Sequence, residues 1–330
     1  MRRSRALALR GIRLPRELAW RRRLRRCADS KIAPLLVSER GDAHVREVLE
    51  RIRPRLAMVM SSLAGPSVLD DQQFVRAALR PEQPTQMLMD RAAKARLLGT
   101  LGVEVVITEP FTPEFAQIAA EDFLPLLKRH LPQLVAVYVG ENWRFGRGRG
   151  GDITLLVTEG RRLGLSVFSA PRVNLNGEPI SSSRIREAIS SGEIALANMM
   201  LGYAYFAQGM VLSGKKLGRT LGFPTLNLAW SPDLRPKFGV YAVRVSGKKT
   251  RAALRGVANY GLRPTVEQTD EPRLEVHVLD VCPFDVGDEI TVEWLHFLRP
   301  ERKFAGVGEL RIQIAADRER TEDFFARLDD

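Results

Sequence analysis

Gly214-Lys-Lys-Leu-Gly-Arg-Thr-Leu-Gly-Phe-Pro-Thr-Leu-Asn227 is the stretch whose residue types best suit phosphate chemistry. Gly214, Gly218 and Gly222 let backbone N–H groups approach an anion closely, and Lys215, Lys216 and Arg219 add positive charge around them. No Gly-Lys-Ser/Thr opens a helix here, so this is not a Walker loop, and an ordinary hairpin turn would use the same glycines. Thr225 and Asn227 tip the balance. They sit two apart in a short extended segment and so face one side. A hydroxyl beside an amide oxygen is a pair of hard ligands suited to Mg²⁺ alongside nucleotide phosphates. Farther on, Leu274-Glu-Val-His-Val278 alternates apolar residues with Glu275 and His277, which therefore leave the core on one face. A carboxylate placed there can take a proton from an attacking hydroxyl. A solvated strand face has the same pattern, and for His277 that is the reading adopted.

Holding such residues in place takes a scaffold, and 330 residues, 45% hydrophobic and 27% charged, suffice for two domains with real cores. Short apolar runs at 32–37, 56–60, 103–108, 134–139 and 165–169 alternate with helical patterns at 92–101, 122–129 and 152–163. That alternation predicts an α/β, Rossmann-like domain with a parallel sheet covered on both faces. After residue 204 the strands follow one another, at 204–212, 239–245, 254–259, 274–280 and 289–297, and predict a small antiparallel β-barrel. Residues 308–328 repeat apolar side chains at helical spacing and should form a C-terminal helix. Residues 182–201, with Ser183 as the cap and Gly192 as a break, read as linking helices. The expected layout is a basic tail (1–30), an α/β domain (31–187), a linker helix (188–203) and a barrel domain (204–330). The uncharged stretch 194–214 is long enough to span a bilayer, but Asn198, Gly202, Gln208, Gly209 and Ser213 mark it as a helix end, a turn and a strand.

The formal charge of +12 is local: residues 1–26 hold eleven Arg against Glu17 alone, which leaves the remaining chain at +2. The body is therefore near neutral, so the charge describes a tail and says little about the substrate, and neither nucleic acid nor a membrane is an expected partner. Cys27 and Cys282 make neither a disulfide framework nor a metal cluster, so a reducing, cytoplasmic setting is expected.

The carboxyl-terminal blocks together resemble the riboflavin kinase family. Gly218-Arg-Thr-Leu-Gly-Phe-Pro-Thr-Leu-Asn227 is followed in order by Gly239-Val-Tyr-Ala, Gly256-Val-Ala-Asn-Tyr-Gly-Leu-Arg-Pro-Thr265, Leu274-Glu-Val-His277 and Phe297-Leu-Arg-Pro-Glu-Arg-Lys-Phe304. The resemblance implies small-molecule substrates, with transfer of the ATP γ-phosphate to riboflavin giving FMN. It makes Thr225 and Asn227 the ligands of Mg²⁺ and ATP, Glu275 the catalytic base, and Gly214, Lys215, Gly218, Arg219 and Gly222 the phosphate loop. Arg263 and Arg299 are further candidates for contact with phosphate or flavin, with surface ion pairs as the alternative.

The amino-terminal half resembles the nucleotidyltransferase module of bacterial bifunctional riboflavin kinase/FAD synthetases. The blocks are Lys94-Ala-Arg-Leu-Leu-Gly-Thr-Leu-Gly-Val-Glu-Val-Val106, Val139-Gly-Glu-Asn-Trp-Arg-Phe-Gly-Arg-Gly-Arg-Gly-Gly-Asp152 and Ile180-Ser-Ser-Ser-Arg-Ile-Arg186. They nominate Asn142, Phe145, Ser182, Ser183 and Arg184 for adenylyl transfer, with hydroxyls and an arginine at a helix start suited to a triphosphate. The family's Gly-x-Phe-Asp-Gly-x-His-x-Gly-His stretch has no counterpart, because His44, His130, His277 and His296 are far apart in sequence. Gly41-Asp-Ala-His-Val-Arg46 is the nearest segment, and Met60-Ser-Ser-Leu-Ala-Gly-Pro66 stands where the family has a Phe-Glu-Pro-His-Pro-like one. The expectation is a kinase that stops at FMN. The alternatives are a fully bifunctional enzyme that also makes FAD, and a non-enzymatic binder of nucleic acid or anionic surfaces that uses the tail.

Overall fold

The computed structural model describes residues 58–61, 86–100, 105–108, 113–132, 134–214, 218, 222–262 and 272–329. The expected tail, the strand at 32–37 and the 41–46 segment lie outside them. The chain divides into two compact units, Met1–Ser181 and Ser182–Asp330. The residues read as a linker helix, 188–203, fall within the second unit.

In the first unit, β1 (Met58–Ser61) pairs in parallel with β2 (Val105–Thr108), and α1 spans Arg91–Thr100. A short α2 (Pro113–Ala116) and α3 (Ala120–His130) lead to β3 (Ala136–Gly140), which pairs in parallel with β4 (Ser166–Ala170). Between β3 and β4 runs α4 (Ile153–Arg162), so the expected strand–helix–strand crossover is present. Asp152 starts α4 by accepting the Leu155 N–H at 3.0 Å, satisfying one of the orphan donors of the first turn. One apolar cluster ties these elements: Phe123, Leu124 and Leu127 of α3, Val137 and Val139 of β3, Leu156 of α4 and Leu165. Each such side chain, fully buried, contributes roughly 1.5–3 kcal/mol. A small hairpin, β5 (Asn174–Leu175) with β6 (Glu178–Pro179), follows and turns through Asn176 and Gly177, both at positive φ.

The second unit opens with α5 (Ser182–Ser191) and α6 (Ile194–Leu201). Gly192, at φ 86°, breaks the two helices as its position suggested. Helix α5 begins at Ser182, which places Ser183 inside the first turn and not at the cap. Six strands then close an antiparallel barrel in the order β10-β11-β8-β7-β12-β9. They are β7 (Phe206–Leu212), β8 (Leu226–Leu228), β9 (Gly239–Gly247), β10 (Leu254–Gly261), β11 (Arg273–Val278) and β12 (Glu289–Pro300), and α7 (Val307–Asp329) ends the chain. Strand β8 adds a sixth member to the five-strand expectation. Trp294, Tyr241 and Tyr260 fill the interior, with the Tyr241 and Trp294 rings edge to face at 4.6 Å. Asn198 of α6 fastens that helix to the barrel: its Nδ2 donates to Trp294 O at 2.7 Å and its Oδ1 accepts the Tyr205 N–H at 2.7 Å. The uncharged stretch is thus α6, a left-handed Gly202 turn and β7. Among the described residues no helix is long and apolar enough to cross a membrane.

Candidate active site

Strand β11 buries Leu274, Val276 and Val278 and leaves Glu275 and His277 half-buried on its other face. Antiparallel pairing sets Glu275 directly opposite Asn227 of β8 on one side and Asn259 of β10 on the other. Directly opposed residues share a face, with Cβ atoms about 4.5–5.5 Å apart. Asn227, Glu275 and Asn259 therefore form one polar row across three neighbouring strands on the outer wall of the barrel.

Glycines crowd the Asn227 end of this row. A Cβ on Gly214 would lie 2.1 Å from Asn227 Nδ2, and one on Gly218 would lie 2.3 Å from Phe223 O and 3.3 Å from Thr225 Oγ1. Only hydrogen at these positions lets the loop lie against Thr225 and Asn227. Phe223 N–H donates to Gly218 O at 2.8 Å and closes the turn, while Gly222 sits exposed at φ +87°. Asn227 Oδ1 is buried and has no hydrogen-bond partner among the described residues. An orphaned amide oxygen is costly unless something else satisfies it, and with the Thr225 hydroxyl it supplies oxygen donors of the hard type that a divalent cation takes.

His277 is not the solvated side chain expected. Its Nδ1 lies 2.8 Å from Pro224 O, its ring meets Phe223 edge-on at 5.6 Å, and its Nε2 is buried. Lys215, Arg219 and Arg263 lie outside the described residues. Arg299 is committed elsewhere: Nε and Nη2 grip the buried Asp317 of α7 at 2.9 and 2.7 Å, and Nη1 donates to Pro300 O. A guanidinium so used has its planar fork occupied by Asp317, in an ion pair that is buried and not at the surface.

In the first unit, Asn142 and Phe145 belong to a loop that leaves β3. Phe145 and Gly151 exchange backbone hydrogen bonds at 2.9 and 3.2 Å, pinching off a lobe with Arg147 and Arg149 at its tip. Gly146, at φ 72°, passes so close to α3 that a Cβ would meet Ala120 Cα at 2.5 Å. Phe145 is buried and stacks on Trp143 at 4.6 Å, so it serves as the lobe's apolar anchor. Asn142 is exposed, its Nδ2 donating to Glu141 Oε1 at 3.2 Å. The Leu155 N–H, and then the Arg144 guanidinium, hold the Asp152 carboxyl below its ordinary range. In the second unit, Ser182, Ser183 and Arg184 form the first turn of α5, whose Ile185, Ala188 and Ile189 are buried.

Comparison with known proteins bears on both halves. The Escherichia coli K12 protein named bifunctional riboflavin kinase/FMN adenylyltransferase is 40% identical over 233 residues, 70% of this chain and 74% of that protein. The chain belongs to this family. Members from Haemophilus influenzae (36% over 253 residues, 74% of this chain and 81% of that protein) and Bacillus subtilis (32% over 257 residues, 76% and 78%) carry the same name. The family model described as riboflavin kinase matches residues 201–325, and that described as FAD synthetase matches 71–184. A crystal structure titled as a macrolide-efflux protein from Streptococcus pneumoniae shares the fold, with a TM-score of 0.74 at 26% identity over 89% of this chain and 95% of that one.

The riboflavin kinase domain thus contains the whole polar row, and the FAD synthetase match contains the Asn142–Phe145 loop. Sequence reasoning missed Asn259 and the engagement of His277. Asn259 stands inside the Gly256-Val-Ala-Asn block, and alternation along β10 could have placed it on the outer face. Nothing in the sequence could have placed it beside Glu275.

Proposed function

We propose that the barrel domain phosphorylates riboflavin with ATP. The observation that carries this reading is the direct pairing of Glu275 with Asn227, whose Oδ1 is buried without a partner among the described residues. It sets a carboxylate one strand away from a hard oxygen donor, as phosphoryl transfer from a metal-bound nucleotide requires. Glu275 accepts the proton of the riboflavin 5′-hydroxyl as that oxygen bonds to the γ-phosphorus. The bond from the γ-phosphorus to the bridging oxygen breaks, and ADP leaves with the electron pair. Thr225 Oγ1 and Asn227 Oδ1 would hold Mg²⁺, which when bound neutralises charge on the transferring phosphates. Backbone N–H groups of the loop 214–222 would cradle the remaining phosphate oxygens. The test is incubation of purified protein with riboflavin, ATP and Mg²⁺ and separation of the flavins. FMN should accumulate with ADP, and its absence would reject the reading.

A second reading adds FMN adenylylation. It is favoured by the relatives' own name and by the FAD synthetase match over 71–184, which weigh against the expected arrest at FMN. In this step an FMN phosphate oxygen attacks the α-phosphorus of ATP and pyrophosphate leaves. Arg184, in the first turn of α5, is the cation nominated for the triphosphate. With FMN, ATP and Mg²⁺ at high enzyme concentration, FAD and pyrophosphate should form in equal amounts and fall in Arg184→Ala. No FAD over long incubation would restore arrest at FMN.

A further inference from the structure

We propose that His277 is a positioning residue that latches the segment 224–227 to the strand carrying Glu275, an inference that rests on the kinase reading. The ladder between β8 and β11 pairs Asn227 with Glu275 and Leu226 with Val276 and goes no further. One more step would set Thr225 opposite His277. Pro224, next in line, has no N–H to offer a ladder. Where the backbone pairing ends, the His277 side chain takes over, with Nδ1 2.8 Å from Pro224 O.

The chemistry of that contact settles the tautomer. A carbonyl oxygen only accepts, so Nδ1 carries the proton and donates it. Nε2 is buried with no hydrogen-bond partner among the described residues. A solvated histidine would show neither feature. With Nδ1 engaged and Nε2 enclosed, the ring has no free nitrogen for substrate, so it acts through what it holds. Phe223 braces it edge-on at 83°. From the other side, Gly218 O accepts the Phe223 N–H, and the Gly218 backbone lies against Thr225 Oγ1. The segment that carries both oxygen donors is therefore clamped between a glycine turn and a histidine. Glu275 and His277 are two apart on one face of β11, so one rigid strand fixes the base and the latch together.

Three measurements test this. In the wild-type protein, imidazole nitrogen shifts should show the Nδ1–H tautomer at His277; the Nε2–H tautomer would overturn the proposal without any substitution. His277→Phe keeps a ring and removes the donor, and His277→Asn restores an N–H close to the Nδ1 position. One neutral hydrogen bond corresponds to roughly a three- to tenfold effect. His277→Phe should raise KM for MgATP by about that factor and leave KM for riboflavin unchanged, with His277→Asn recovering most of the loss. Amide exchange over 222–228 should speed up in His277→Phe. Unchanged KM and exchange in that variant, or equal losses in both variants, would sink the latch. If the wild type shows no kinase turnover, the functional reading fails by itself, and tautomer and exchange still decide the latch.

Discussion

Glu275 and Asn227 occupy facing positions on adjacent strands, yet their chemistry differs, so substitutions in this row should fail in different ways. Glu275→Gln keeps size and polarity but cannot take up the substrate proton. Removing a general base typically lowers the rate on the order of 10²- to 10⁴-fold. The expected outcome is a kcat reduced by that range with riboflavin affinity retained, read by steady-state kinetics and flavin fluorescence; turnover within a few-fold of wild type would remove Glu275 from the role. Thr225→Val keeps the branched shape and deletes the hydroxyl oxygen. Nucleotide affinity measured with and without Mg²⁺ should lose most of its metal dependence in this variant. An unchanged dependence would leave Thr225 as a turn residue.

At the scale of elements, α7 is held by a stripe at every fourth position. Asp317, Thr321 and Phe325 are all buried, and Asp317 is only 2% exposed. A buried carboxylate needs compensation, and Arg299 of β12 supplies it bidentately while Gln313 Nε2 adds a third contact at 2.8 Å. Removing one partner strands the other charge in a low-dielectric setting. Asp317→Ala should therefore destabilise the protein by about 3–5 kcal/mol, seen as a lower urea midpoint. The double variant Arg299→Met/Asp317→Leu, which leaves no unpaired charge, should recover much of that loss. A single-variant loss below about 1 kcal/mol would show that Phe325 and its neighbours dock the helix without the pair.

The whole molecule sets its behaviour at high pH through the aromatic interior of the barrel. Burial pushes the Tyr260 phenol up to about 12, against a small opposing pull from Arg235, and burial raises Tyr205 and Tyr241 as well. In the unfolded chain these groups ionise near about 10. Between those values the unfolded state holds fewer protons than the native state, so stability falls as pH rises. It is fully present below about pH 10 and is lost as pH climbs through the raised values. On alkaline titration, tyrosinate absorbance from these three residues should appear together with loss of the near-ultraviolet circular dichroism of the barrel. Ionisation of all five tyrosines with that signal intact would contradict the buried placement.

Much of this was legible from local pattern. The period-two alternation of Leu274 to Val278 depends only on the pleat of one strand, so it placed Glu275 off the core before any partner was known. The same holds for the crossover around α4 and for Gly192 and Gly202, whose positive φ follows from their own lack of a side chain. Blocks such as Pro-Thr-Leu-Asn227 carried the kinase resemblance because their chemistry is confined to a few adjacent residues. Thr225 to Asn227 reads as extended, but strand β8 did not stand out as a member of the barrel, since three residues are too few to show a period. The burial of Phe145 against Phe123 and Trp143 was not legible, because it depends on how α3 and the β3 loop pack. What only the tertiary structure decided is who faces whom. That Asn227 and Asn259 flank Glu275, that Asp317 claims Arg299, and that His277 holds Pro224 across 53 residues are matters of register and closure. Register is set by which apolar faces bury together over the entire barrel, a competition among all six strands that no single stretch of sequence contains.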